Sequence, residues 1–117
     1  MNKLILIGNL VADPEFQEVS KDTAVCKFRI AVNYGKEKSL FIDCNAWNGV
    51  GKNIYEFLKK GNKCMVEGEL EIGSYENKDK EIRYYTRMNV FNCEFLTSPY
   101  NKEEDEKPAK KGYSRGR

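Results

Sequence analysis

Hydrophobic and polar positions alternate most regularly between Thr23 and Val32. Ala24, Cys26, Phe28, Ile30 and Val32 fall on one side, and Lys27 and Arg29 on the other. A period of two marks a strand with one face toward a core. Residues 3–11, Lys-Leu-Ile-Leu-Ile-Gly-Asn-Leu-Val, form a β-branched-rich run that Asp13-Pro14-Glu15 is expected to end, because proline cannot donate to a ladder. A loop over 33–39 leads to a third strand, Phe41–Trp47, and then to the breaker cluster Asn48-Gly49-Val50-Gly51. The pattern changes there. Ile54, Phe57 and Leu58 stand at i, i+3 and i+4, Lys59 and Lys60 suit a last turn, and Gly61 suits a terminator, which predicts a helix of about ten residues. Lys63–Tyr75 and Ile82–Phe95 read as two more strands joined by a polar hairpin tip, residues 76–81.

Three strands, a helix and two strands is the order of an all-β OB-fold: a five-stranded Greek-key barrel with one helix between strands three and four. Residues 1–98 form this domain. From Ser98-Pro99 the periodicity vanishes, and residues 99–117 are expected to be a disordered, charged tail. The third strand is the most informative. Phe41, Asp43, Asn45 and Trp47 share one face, and Ile42, Cys44 and Ala46 the other. The second face is apolar, whereas the first sets two rings about 20 Å apart, at roughly 3.3 Å per residue, around a carboxylate and an amide. An unpaired buried Asp43 would be costly. Either this face is wet, with rings free to meet a flat partner, or the strand is covered on both sides and Asp43 and Asn45 are hydrogen-bonded internally. Single-stranded nucleic acid is the partner with a π-face on every unit.

Composition narrows the choices. The chain has 117 residues, 32% charged and 12% aromatic, enough for one small domain. It contains no histidine, and Cys26, Cys44, Cys64 and Cys93 include no Cys-x-x-Cys pair, which argues against a metal site. Cys26 and Cys44 sit in alternating apolar rows as small core residues of a reducing compartment, so disulfides are not expected. No apolar run is long enough to cross a membrane, and the N-terminus lacks a signal-peptide cleavage site, so a cytoplasmic location is expected. An enzyme is disfavoured, since no glycine-rich phosphate loop, metal cluster or catalytic pair stands out, and no cofactor is implied. Net charge is +2, and residues 1–100 carry 14 basic and 14 acidic side chains. Affinity for a polyanion must therefore come from local placement of cations and from stacking.

Several separated motifs keep the order of one family. Asn2-Lys3-Leu4-Ile5-Leu6-Ile7-Gly8-Asn9-Leu10 with Asp13-Pro14-Glu15 closely resembles the start of the bacterial and phage single-stranded DNA-binding proteins. Thr23-Ala24-Val25, Glu56-Phe57-Leu58-Lys59-Lys60-Gly61, Val66-Glu67-Gly68-Glu69-Leu70, Ser74-Tyr75-Glu76-Asn77-Lys78 and Arg83-Tyr84 resemble its later segments, over roughly residues 1–97. The resemblance implies an OB-fold that binds single-stranded DNA without sequence preference, as a homotetramer, in replication, recombination and repair, within the nucleoid of a bacterial or phage-infected cell. Its base-stacking aromatics fall on Phe41, Trp47 and Tyr75. The chain departs from the family pattern in two places. The 33–39 loop is short, with only Tyr34 near the position of a further stacking ring. The C-terminus carries Lys110, Lys111, Arg115 and Arg117 in place of an acidic tip ending in Pro-Phe, which counts against recruitment of replication proteins by such a tip.

The expected DNA-binding set is thus Phe41, Trp47, Tyr75 and Tyr34, with Lys3, Lys27, Arg29, Lys36, Lys38, Lys52, Lys60, Arg83 and Arg87 as candidate phosphate partners. Glu67, Glu69 and Glu71 alternate on one face, which is expected to repel DNA and to point away from its path. The first strand carries more apolar surface than one core face uses, with Ile5 and Ile7 set against Leu4 and Leu6. This predicts a subunit contact or a doubly covered strand. The competing class is an OB-fold accessory or primosomal module that binds protein or RNA.

Overall fold

The computed structural model describes residues 1–96, and the tail expected from residue 99 lies outside the described residues. Six strands and one helix follow in the order β1 (Leu4–Leu10), β2 (Glu15–Ser20), β3 (Thr23–Asn33), β4 (Ser39–Trp47), α1 (Asn48–Phe57), β5 (Lys63–Glu76) and β6 (Ile82–Phe95). They form one sheet ordered β1-β5-β6-β4-β3-β2. β1 pairs with β5 along most of its length and with β3 through Asn9 and Leu10, which closes β1, β5, β6, β4 and β3 into a barrel. β4 and β6 run parallel and the other pairings antiparallel, giving the OB-fold.

The inner face is built by the period-two rows. Cys26, Phe28 and Ile30 of β3, Ile42, Cys44 and Ala46 of β4, Cys64 and Val66 of β5, and Met88 and Val90 of β6 meet Leu10 in one core, which Ile54 and Leu58 plug from the helix end. No polar or charged residue is buried among the described residues. The cysteines are free thiols, and burial pushes Cys26 up to about 11. Leu4 and Leu6 pack against the core, while Ile5 and Ile7 stay exposed on the outer face of β1.

Two expectations about the elements change. β1 ends at Leu10, ahead of Pro14 as expected, but an additional strand, β2, starts just after the proline and pairs with β3 from Glu15↔Lys27 to Ser20↔Thr23. A proline immediately before a strand removes no ladder hydrogen bond. β2 gave no alternating signal because Phe16 is its one half-buried residue, stacked on Tyr55 of α1 at 5.2 Å. β2 is a flap on a five-stranded barrel.

The helix also begins earlier than expected, at Asn48 inside the breaker cluster, and ends at Phe57, leaving Lys59, Lys60 and Gly61 in the following turn. Asn48 takes φ 51°, and its Oδ1 accepts the Ala24 N–H at 2.9 Å, tying the helix start to β3. Gly51 is buried where a Cβ would lie 2.3 Å from the Ala46 carbonyl oxygen, so α1 can approach β4 only with hydrogen at that position. Gly49 faces open space. Opposite effects are therefore expected in the same helical turn. Gly49→Ala should raise the urea midpoint, by about 0.4–1 kcal/mol of stability, and Gly51→Ala should lower it; equal responses would refute the packing assignment.

Candidate nucleic-acid interface

β3 and β4 pair Ala31↔Phe41, Arg29↔Asp43, Lys27↔Asn45 and Val25↔Trp47, so these residues share the outer face of the barrel. Phe41 is 59% exposed and Trp47 40%. Asp43 is exposed as well, gripped by the Arg29 guanidinium with Nε–H donating to Oδ1 at 2.8 Å and Nη2 donating to Oδ2 at 3.4 Å. The wet-face reading of this strand holds. An ion pair this open to water adds little to fold stability. It keeps two opposite charges tied together between the rings, one outward-facing residue pair along from Phe41.

The face continues onto β6, where Arg87 lies beside Asp43 and Asn89 beside Asn45, and onto β5 through Glu71↔Arg87, Gly73↔Tyr85 and Tyr75↔Arg83. Glu71 organises this part. Arg87 donates to it at 3.2 and 3.0 Å, the Asn89 amide at 2.8 Å and the Tyr85 hydroxyl at 3.0 Å. These donors, Arg87 foremost, then Asn89 and Tyr85, hold the Glu71 carboxyl down at about 2, against 4.5 for an ordinary glutamate. The Arg87 guanidinium lies 4.6 Å from the Tyr85 ring centroid. A Cβ on Gly73 would sit 2.3 Å from the Tyr85 hydroxyl, so the absence of a side chain there lets the tyrosine cross to Glu71.

The glutamate row is therefore not a uniformly repellent surface turned away from the other candidates. Glu71 shares a face with Arg87, Tyr85 and Tyr75, and Glu67 is paired with Lys3 at 2.8 Å. Glu69 has no partner among the described residues. Cross-strand neighbours supply the compensating charges, and spacing along one strand cannot show them.

The remaining candidates are dispersed. Tyr75, 56% exposed, lies across from Arg83 near the hairpin tip, where Arg83 donates to Glu81 at 2.9 Å. Tyr34, Lys36 and Lys38 stand exposed in the loop leading to Phe41, closed by the Tyr34 N–H donating to the Lys38 carbonyl at 2.9 Å. Lys52 is on α1 toward the β2–β3 hairpin, and the Lys60 N–H donates to Asp13 Oδ1 at 2.8 Å beyond the helix end. Lys3 is on the β1–β5 side, separated from β4 by β6. Lys27 and Arg29 are thus the candidate cations on β3, directly across from β4, with Arg87 beside Asp43 on β6. Sequence reasoning missed Tyr84 and Tyr85. The pair was readable as one ring on each side of a strand: Tyr85 joins the Glu71 cluster, and Tyr84, 77% exposed, lies on the other hairpin face with Ile72 and Ile82.

A closed barrel with exposed rings along one meridian and a projecting two-stranded hairpin defines an OB-type ligand-binding module. The chain belongs to the single-strand binding protein family, which residues 1–96 match. It is similar to the single-stranded DNA-binding protein of Clostridium perfringens, with 39% identity over 84% of this chain and 67% of that one. Similar too are single-stranded DNA-binding protein 3 of Listeria innocua, with 34% identity over 86% of this chain and 67% of that one, and single-stranded DNA-binding protein A of Bacillus subtilis, with 32% identity over 82% and 59%.

Because the Glu71 pKa is depressed on folding, its contribution to stability is fully present above about 4.5 and is lost as pH falls toward about 2. Melting temperatures measured from pH 6 to pH 2 should fall more steeply in the wild type than in Glu71→Gln. Parallel curves would show that the cluster does not stabilise the charged form.

Proposed function

We propose that the chain binds single-stranded DNA without sequence preference, with bases stacked on Phe41, Trp47 and Tyr75 and the phosphate backbone running past Lys27, Lys36 and Lys38. The observation that carries this reading is the β4 face, where two large rings stay in solvent around a carboxylate that keeps the strand wet. Membership of the single-strand binding protein family and the names of its relatives support it. Proteins of this family act by binding and not by catalysis, and the proposed setting is replication, recombination and repair. No helix among the described residues is long and apolar enough to cross a membrane, and a cytoplasmic, nucleoid-associated location follows from the proposed role.

Stacking carries more of the affinity than charge in this proposal. Lys3, Arg29, Arg83 and Arg87 are each committed to a carboxylate, so few phosphates are neutralised by uncommitted cations and salt weakens binding only gradually. A duplex hides the base faces and binds poorly. Self-association completes the site, because one OB domain covers only about 4–16 nucleotides. The exposed Ile5 and Ile7 of β1 are the proposed subunit contact of a homotetramer.

Trp47 is the chain's one tryptophan, so it reports on its own environment. Oligo(dT) should quench its fluorescence saturably, and Trp47→Ala should weaken binding by about 1–3 kcal/mol with an unchanged fold. Undiminished affinity in the folded variant would remove Trp47 from the site. Light scattering should give four times the 13.6 kDa chain mass, and Ile5→Asp should lower it; a wild-type mass of one chain would rule the tetramer out.

A further inference from the structure

We infer that the groove at the centre of the β3–β4–β6 face seats the edge of an unpaired base, and that the Asn45 side-chain amide pairs with that edge without choosing between bases. This rests on the single-stranded DNA reading and adds to it a hydrogen-bonding subsite beside the stacking rings.

The groove has a volume of about 400 Å³, within the roughly 300–1,000 Å³ of sites that hold small ligands. Its charges do not suit phosphate. Asp13, Glu15 and Asp43 line it against Lys27, Arg29 and Arg87, and two of those cations are already held, Arg29 by Asp43 and Arg87 by Glu71. Apart from the Arg29–Asp43 pair, a phosphate lowered into the groove would meet the carboxylates of Asp13 and Glu15, with Lys27 as the cation left uncommitted among the described residues. A neutral base edge meets no such penalty, so the backbone belongs on the rim and the bases inside.

Asn45 stands on the outer face of β4 between Asp43 and Trp47, lines the groove and is half-buried. Among the described residues its side chain has no hydrogen-bond partner, an open donor and an open acceptor where most half-buried amides are satisfied. Trp47 follows two residues later on the same face, roughly 7 Å along the strand, so a base stacked on the indole presents its edge within reach of the amide. The Watson–Crick edge of every base places a donor next to an acceptor: N6–H and N1 in adenine, N4–H and N3 in cytosine, N1–H and O6 in guanine, N3–H and O4 in thymine. A primary amide carries the complementary pair and reverses its order by a half-turn of the terminal torsion. Asn45 can thus hydrogen-bond whichever base arrives, which a carboxylate or a guanidinium at the same point could not do.

The test is to remove that symmetry in the full chain. Asn45→Asp keeps the shape and leaves acceptors only, which match the paired N1–H and N2–H donors of guanine and oppose the carbonyls of thymine. Dissociation constants for oligo(dT) and an alternating dG-dT oligomer of equal length should shift relative to each other by roughly fivefold or more in favour of guanine, the low end of bidentate base discrimination. An unchanged ratio, whatever happens to both affinities together, overturns the assignment. Should the added charge abolish binding to both oligomers, Asn45→Ala decides: a similar loss on both is expected, and unaltered affinities overturn the inference. A wild-type chain that binds neither oligomer would instead defeat the underlying DNA reading.

Discussion

β1 pairs with β5 through Leu4–Asn9 and with β3 through Asn9 and Leu10, and the closed barrel depends on that double engagement. Closure gives every strand one inside and one outside. Since neighbouring residues on a strand point opposite ways, placing Ile42, Cys44 and Ala46 in the core obliges Phe41, Asp43, Asn45 and Trp47 to face out. The barrel has no buried polar side chain among the described residues to relax that choice. The exposure of the two rings is thus a consequence of how the core is filled, and the candidate binding face is the remainder of the packing solution.

The same face shows how a chain with little net charge can suit a polyanion. Its arginines are paired with carboxylates on neighbouring strands, Arg29 with Asp43 and Arg87 with Glu71, so the face is not strongly positive. The Arg29–Asp43 pair, open to water, contributes little to stability. Each pair ties a guanidinium to a carboxylate of the neighbouring strand.

The Glu71 cluster couples the hairpin to the barrel. Gly73 lets Tyr85 reach Glu71, and Glu71 gathers Tyr85, Arg87 and Asn89 from β6. The base of the hairpin is thereby fixed where it leaves the barrel, with Tyr75 presented beyond it. The hairpin's other face, with Ile72, Ile82 and Tyr84, continues the inner side of the sheet past the end of the core and is exposed for that reason.

Local pattern determined much of this protein. Alternation in Thr23–Val32 and Phe41–Trp47 marks which residues enter the core, the strand, helix and hairpin order marks an OB-fold, and separated motifs mark the family that residues 1–96 match. These are legible because they depend on neighbours one to four positions apart. What escaped the sequence depends on contacts between distant segments. β2 has one half-buried side chain and exists because β3 offers it an edge; the Asn48–Gly51 breakers become a helical turn because β4 ends beneath them and Gly51 fits there. The glutamate row of β5 reads as repellent along its own strand, and Lys3 and Arg87 from other strands pair with two of its members. Periodicity records which way a side chain points, and only closure of the barrel decides which charge, ring or amide it faces.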